Sequence, residues 1–250
     1  GTDNLLYVME FDTVSFNAID IQITSDNINV CSGDTVTLSL SNLYDSNNGI
    51  VAYYPFNGNA NDESGNGNHG TVNGALLTSG RFGNNNSAYE FDGVDDFIQV
   101  LHSNTLEFNN NQLTVSFWIN IPNYSMGNNN NNGNSGPPFD ERVPIAKNWH
   151  FETTDGLGQL GTPQFEVSYP FGPSCDYESD NESVTINEWV NIVGTYDGDT
   201  IKLYMDGSFL GEQYCNVSLS NSVDLFFGKH SSLGRFFLGK IDDIIIYDRE

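Results

Sequence analysis

The sequence predicts an all-β fold, a two-sheet antiparallel sandwich of the jelly-roll kind. Three observations predict it: apolar residues alternate with a period of two, Gly, Asn and Asp punctuate the chain at short intervals, and helical periodicity is nearly absent. Taken in chain order, short strands read at Ile50 to Tyr54, Tyr89 to Phe91 and Phe97 to Val100. In "LTVSFWIN" the alternation sets Leu113, Val115, Phe117 and Ile119 on one face and Thr114, Ser116, Trp118 and Asn120 on the other, as a half-buried strand requires. Further strands read at Val143 to Ala146 and Phe165 to Tyr169. "VNIVGTYDGDTIKLYMDGSFLGE" is a three-strand meander broken at Asp197-Gly198 and Asp206-Gly207, where Gly or Asp supplies the positive φ of a tight turn. Val223 to Phe227 and Phe236 to Tyr247 complete the series.

Two segments interrupt this pattern. The tract "NYSMGNNNNNGNSGPPFDE", Asn123 to Glu141, has nothing to pack and is expected to be a mobile surface loop. Residues 1–45 carry strand-like runs, "AIDIQI" and "DTVTLSLS", that are too short for a sandwich of their own. The expected organisation is therefore a 1–45 N-terminal β segment, paired with the main body or belonging to a neighbouring module, and one β domain over 46–250.

Composition bounds the function. The chain of 250 residues carries 33 acids against 8 bases, a formal net charge of -25. Such a field repels nucleic acid and anionic membranes, and makes metal cations the natural counter-charges. No apolar run is long enough to span a bilayer, so no membrane insertion is expected. The chain opens at Gly1 without a leader and reads as a mature fragment of something longer. Cys31, Cys175 and Cys215 show no CxxC spacing, which argues against a zinc site. Cys175 and Cys215 both lie in polar surroundings and are candidates for a bridge between neighbouring loops, with Cys31 left over; the alternative is three buried thiols.

The glycine-rich stretch "NDESGNGNHG" has the chemistry of a cation loop. Asp62, Asn66 and Asn68 offer hard oxygens at short spacing, and Gly65, Gly67 and Gly70 let the backbone turn its carbonyls towards one point. Oxygen-only ligation suits Ca2+, although the loop lacks the spacing of an EF-hand and also reads as a solvated Asx turn. A second cluster, "FDGVDDF" with Asp92, Asp95 and Asp96, reads first as exposed acids at a hairpin turn, a second calcium being the alternative.

Five blocks in order, "IVAYYPFNGNANDESGNGNHGTVNGA", "RFGNNNSAYEFDGVDDFIQV", "LTVSFWIN", "EWVNIVGTYDGDTIKLYMDGSFLGE" and "GKIDDIIIYDRE", resemble the laminin-G-like, concanavalin A-like lectin jelly-roll domains of secreted and surface bacterial proteins. The resemblance runs from about residue 49 to the C-terminus. Separately, "INVCSGDTVTLSLSN" resembles the opening strand of bacterial immunoglobulin-like modules. The first resemblance implies that the early loop, with His69 contributing backbone, meets Asp242 at the start of the last strand and shares one structural Ca2+ with it. It also implies a secreted or cell-surface location.

Carbohydrate recognition needs an aromatic platform beside polar groups that satisfy sugar hydroxyls. Trp118 and Trp189 lie within strongly patterned strands and are assigned to packing. Trp149 in "AKNWHFETTDG", with Asp155, and Tyr169, Phe171, Asp176 and Tyr177 in "VSYPFGPSCDYESD", near Asp180, form the expected recognition surface, against the alternative of packing under a long loop. Catalysis is not expected. The alternating Glu-x-Asp-x-x-Glu strand of a retaining glycosidase is missing, Glu10 and Asp12 of "YVMEFD" being the nearest approach. No strand carries a lyase's Tyr/His pair with a basic neighbour, no nucleophile elbow occurs, and His69, His102, His150 and His230 are scattered through turns and loops.

Two functions remain. One is a calcium-stabilised carbohydrate-binding module of an adhesin or of a polysaccharide-degrading system, and the other is a structural spacer or protein-interaction domain of a long adhesin; a glycoside hydrolase or polysaccharide lyase on the same fold ranks behind both. An aromatic, acid-lined groove facing solvent favours the first, and a smooth acidic surface with Trp149 buried favours the second.

Overall fold

The computed structural model describes residues 49–122, 142–147, 149–154, 161–168, 174–179, 182–219, 222–230 and 235–250. The chain divides into two units, Gly1–Tyr44 and Asp45–Glu250, and all of these residues belong to the second. The expected N-terminal β segment with Cys31 and its immunoglobulin-like stretch, and the Asn/Gly/Pro tract 123–141, lie outside the described residues.

The described chain is a succession of strands: β1 (Ile50–Tyr54), β2 (Gly70–Asn73), β3 (Leu76–Thr78), β4 (Ala88–Asp92) and β5 (Phe97–Val100), then, past a single 3-10 turn, β6 (Leu113–Asn120), β7 (Arg142–Ala146), β8 (Trp149–Thr154), β9 (Thr162–Ser168) and β10 (Ser174–Glu178). The meander supplies β11 (Val190–Tyr196), β12 (Thr200–Met205) and β13 (Ser208–Tyr214), and β14 (Leu225–Phe227) and β15 (Leu238–Tyr247) end the domain. One sheet runs β13-β12-β11-β6-β15-β4-β3 with β1 added against β15; the other runs β10-β9-β8-β7-β14-β5-β2. The two antiparallel sheets form the jelly-roll sandwich that the alternation predicts.

Period-two patterning decides which face is core. On β6, Leu113, Val115, Phe117 and Ile119 are all fully buried, as expected. Phe117 meets Phe151 of the other sheet edge-on at 4.8 Å, and Phe151 stacks on Phe165 at 4.5 Å. Gly194 on β11 lies against these rings: a Cβ there would sit 2.5 Å from Phe151 Cζ, so only glycine lets the sheets approach this closely. Each buried ring contributes about 1.5–3 kcal/mol from apolar transfer. The meander's second turn carries Asp206 at φ 48° and Gly207 at φ 75°, both in the left-handed region that the Asp-Gly pair was expected to supply.

The structure corrects the reading of the tryptophans. Trp149 is fully buried, packed edge-on against Phe108 at 6.3 Å and Phe151 at 6.5 Å, and cannot offer a platform to a ligand. Its segment is a strand whose apolar positions, Trp149 and Phe151, face the core while His150 and Glu152 face away. Trp118 and Trp189, assigned to packing, are only half-buried; Trp118 lies on the outer face of β6 under the Arg81 guanidinium at 5.1 Å. Their alternation phase, opposite to Phe117 and to Val190, turns them outward.

Candidate functional site

The glycine-rich loop between β1 and β2 is held by its own hydrogen bonds. Asp62, 5 % exposed, accepts the Tyr53 and Ser64 N–H groups on Oδ1 at 3.0 and 2.9 Å and the Asn68 N–H on Oδ2 at 2.9 Å. Burial alone would raise its carboxyl, but the donors of Tyr53, Ser64 and Asn68 together hold it below the ordinary value of 3.8. The Asn66 amide donates to the Ile50 and Val51 carbonyls, and the Asn68 amide to Val51 O and Thr105 Oγ1, while Asn68 Oδ1 accepts the Ser103 hydroxyl at 2.6 Å. His69 takes part through its side chain, Nδ1 accepting the Asp62 N–H at 3.1 Å. The structure thus gathers Asp62, Asn66, Asn68 and His69 into one network.

Asp242 belongs to a different one. A break in the β15–β6 register between Asp242 and Ile245, with Asp243 at φ 52°, forms a bulge that aims the two acids at Arg81. Asp242 Oδ2 accepts the Arg81 N–H at 3.0 Å and pairs with its guanidinium at 3.3 Å, and Asp243 pairs with the same side chain. Burial raises the Asp242 carboxyl in spite of Arg81. Among the described residues no contact joins Asp62 to Asp242. Ca2+ takes six to eight oxygens at about 2.3–2.6 Å; here both Asp62 oxygens face N–H donors, the two asparagine amide nitrogens face carbonyls, and a guanidinium holds the fifth residue. As arranged, the five residues do not fit one shared calcium site.

The acidic turn before β5 is also internally braced. Asp92 Oδ1 accepts the Val94 and Asp95 N–H groups at 2.8 and 3.3 Å, and Asp96 Oδ2 accepts the Asp92 N–H at 3.0 Å.

Of the expected recognition residues, Asp155, Tyr169, Phe171 and the neighbouring Asp180 lie outside the described residues. Asp176 and Tyr177 stand on β10, at the edge of its sheet, and Tyr177 lines the wall of a groove of about 500 Å³. The opposite wall is β13, the edge of the other sheet, with Ser208, Phe209 and Leu210, joined by Met205 at the end of β12 and Asp206 in the turn between them; Ser179 and Glu182 close the end. The Tyr177 hydroxyl donates to Leu210 O at 2.9 Å, and it can do so because residue 211 is glycine, where a Cβ would stand 2.1 Å from the Tyr177 hydroxyl oxygen. Phe209 is 55 % exposed, leaning on Tyr204 at 5.4 Å. Asp206 commits Oδ1 to the Asn191 N–H at 2.8 Å. The expected pair Cys175 and Cys215 forms a disulfide, Cα–Cα 5.8 Å, which ties β10 to the end of β13 and so fixes one wall against the other.

Sequence reasoning missed a further cluster. Register sets Asp176, Glu166 and His150 side by side across β10, β9 and β8, on the face turned away from the core. His150 Nε2 lies 3.0 Å from Glu152 Oε1 and 3.5 Å from Glu166 Oε2, its ring is 5.0 Å from that of His230, and Arg235 Nη1 reaches Glu152 Oε1 at 3.4 Å. Burial works against an imidazolium at His150, but the hydrogen-bonded Glu152, with Glu166 and Asp176 behind it, raises its pKa. Burial, reinforced by His150, pushes His230 down to about 4. The signal was the alternation of "WHFETT", which places His150 and Glu152 on one face; nothing local announces His230.

Comparison with known proteins gives the same fold. The laminin G family described as the concanavalin A-like lectin/glucanases superfamily matches residues 92–250. No curated protein sequence matches. Among solved structures, the binding domain of Paraclostridial Mosquitocidal Protein 1 is 19% identical with a TM-score of 0.61, over 80% of this chain and 49% of that one. The receptor binding domain of botulinum neurotoxin D is 17% identical with a TM-score of 0.58, over 82% and 50%. Domain 4 of AbnA, a GH43 extracellular arabinanase from Geobacillus stearothermophilus, in complex with arabinotriose, is 17% identical with a TM-score of 0.57, over 79% and 91%. The chain spans about half the length of the toxin domains, and likeness at this identity shows the fold alone.

Proposed function

The chain belongs to the concanavalin A-like lectin/glucanase superfamily, and from that premise we propose that it is a non-catalytic carbohydrate-binding module of a secreted or cell-surface protein, an adhesin or a polysaccharide-degrading system. One observation carries the reading: the groove between β10 and β13 joins an exposed aromatic ring, Phe209, to acids and hydroxyls that face solvent. Phe209 stacks on the apolar face of a sugar ring. Glu182, Asp206 and Ser208 take its hydroxyls, and carboxylate acceptors give the stronger class of hydrogen bond. The disulfide preforms the groove, so little ordering opposes binding.

Acids in the groove and a net charge of -25 repel uronates and sulfated sugars, which makes a neutral glycan the ligand class. A similar fold, the arabinanase domain, is solved with arabinotriose, and that trisaccharide is the first compound to test. The disulfide favours an oxidising compartment, hence the extracellular reading.

No ion enters this binding step. The shared calcium is a question of stability and not of binding: the melting temperature is expected to be the same with EGTA and with added Ca2+, and a fall under EGTA that Ca2+ reverses would restore the shared ion. A glycan array of neutral and acidic polysaccharides tests the function. Signal confined to neutral glycans supports the proposal, and silence on every glycan favours the spacer or protein-interaction domain, a reading that the burial of Trp149 supports.

A further inference from the structure

The cluster on the outer face of the second sheet lies outside the groove and takes no part in the binding proposed there. One donor atom from each of His150, Glu152 and His230 comes within 4.8 Å of the other two. We propose that these three residues form a binding site for a divalent transition ion of the zinc type.

Four observations converge on it. The first is donor chemistry: two imidazole nitrogens and one carboxylate oxygen form the ligand set of zinc and its neighbours, whereas Ca2+ and Mg2+ prefer oxygen alone. The second is geometry. Ligands at about 2.0–2.1 Å on a tetrahedral ion stand roughly 3.3 Å apart; His150 Nε2 and Glu152 Oε1 are already 3.0 Å apart, and the third donor, within 4.8 Å, needs a shift of about 1.5 Å at most to join them.

The third is support. His150 and Glu152 are two apart on β8, so the strand projects both to the same side. His230 is fixed beside the bridge between Lys229 and Phe236, and its own N–H donates to Arg235 O at 3.0 Å. His150 and Glu152 side chains are 8% and 6% exposed, so two of the three ligands are held by packing as well.

The fourth is charge. With both imidazoles neutral, as metal ligation requires, three carboxylates, Glu152, Glu166 and Asp176, stand against one guanidinium, Arg235, on Glu152. The surplus of two negative charges matches a dication. Glu166 Oε2, at 3.5 Å from the same His150 Nε2, stands beside the donor atoms, in the place of a fourth ligand. The rival arrangement is His150 ion-paired with Glu152 and Glu166 and no metal at all. The Asp92, Asp95 and Asp96 cluster differs in kind, since it offers oxygens only, and Asp92 Oδ1 and Asp96 Oδ2 are spent on its own turn.

The test is calorimetric titration of zinc chloride into the chelator-stripped chain, with cobalt chloride as a spectroscopic probe. One saturable ion per chain is expected, with intense visible cobalt bands from a four-coordinate site. His230→Ala, at a half-buried position, should weaken zinc at least about tenfold, the smallest loss typical even of a supporting residue, while leaving the fold and glycan binding intact. Glu152→Gln should do the same if it folds, and His102→Ala should bind zinc as the parent does. Non-saturating binding, or equal affinity in His230→Ala and the parent, would overturn the proposal. Neither result bears on the groove.

Discussion

The β1–β2 loop with the β15 bulge, and the groove between β10 and β13, use the same side chains to opposite ends. At the loop and bulge the acids are buried and fully engaged: Asp62 answers three backbone N–H groups, and Asp242 answers Arg81. At the groove Phe209, Asp206 and Ser208 are exposed, and Glu182 with them. An acid-rich loop is therefore not by itself a site. What matters is whether the fold has already taken up its acceptors: at Asp62 both carboxylate oxygens are taken, whereas in the groove Asp206 commits Oδ1 alone and its side chain stays exposed.

On this contrast, variants at the loop change stability and leave binding alone, variants of the groove's exposed side chains do the reverse, and the disulfide that fixes the groove walls affects both. The largest effect belongs to the covalent tie between the groove walls. Replacing Cys175 and Cys215 together by Ser should lower stability by about 4 kcal/mol through the loop of 40 residues it closes, measured by denaturant unfolding, and should weaken glycan binding as the walls loosen. Next, Asp62→Ala leaves three N–H groups without their acceptor and should cost about 3 kcal/mol with no change in glycan affinity. Asp62→Ala and Asp242→Ala should be additive within about 0.5 kcal/mol in a double-mutant cycle, since no contact among the described residues joins them; strong coupling would mean a shared ion after all.

Phe209→Ala should cost under about 0.5 kcal/mol of stability, being a surface change, yet weaken glycan binding about tenfold, the worth of one stacked ring. The smallest effects are in the pH dependence, and they have opposite signs. Asp62 titrates below its ordinary 3.8 in the folded chain, so its contribution is complete above that value and is lost as pH falls through the folded pKa. Asp242 titrates above 3.8, so its ionised form weakens folding as pH rises from 3.8 through the folded pKa, and the penalty is relieved on acidification. Unfolding of Asp62→Asn and Asp242→Asn against the parent between pH 3 and 6 should show the two differences moving in opposite directions.

Much of the architecture was legible because alternation is a local signal. β1, β5, β6 and the meander fall where period two and Asp-Gly turns place them. β8 was not recognised, because only Trp149 and Phe151 mark its buried face and the rest of "WHFETT" is polar. β10 and the short β2 and β3 carry too few apolar residues to show a period. The candidate site was half legible. Tyr177 and the cysteine pair could be read, but Phe209 could not be joined to them, since the groove exists only where edge strands of two different sheets meet. The Asp62 loop was correctly seen as organised. In the structure the loop's own N–H groups take up the Asp62 oxygens, and sequence shows which oxygens are present, not which N–H groups will reach them first.

The most direct test of the central claim is a map of backbone amide shifts during titration of the chain with arabinotriose or the strongest neutral oligosaccharide from the array. Binding at the groove predicts saturable shifts concentrated in 177–182 and 205–210, with the Asp62 loop and the His150 cluster silent. Saturable shifts centred anywhere else, or none for a glycan that the array retains, would contradict it.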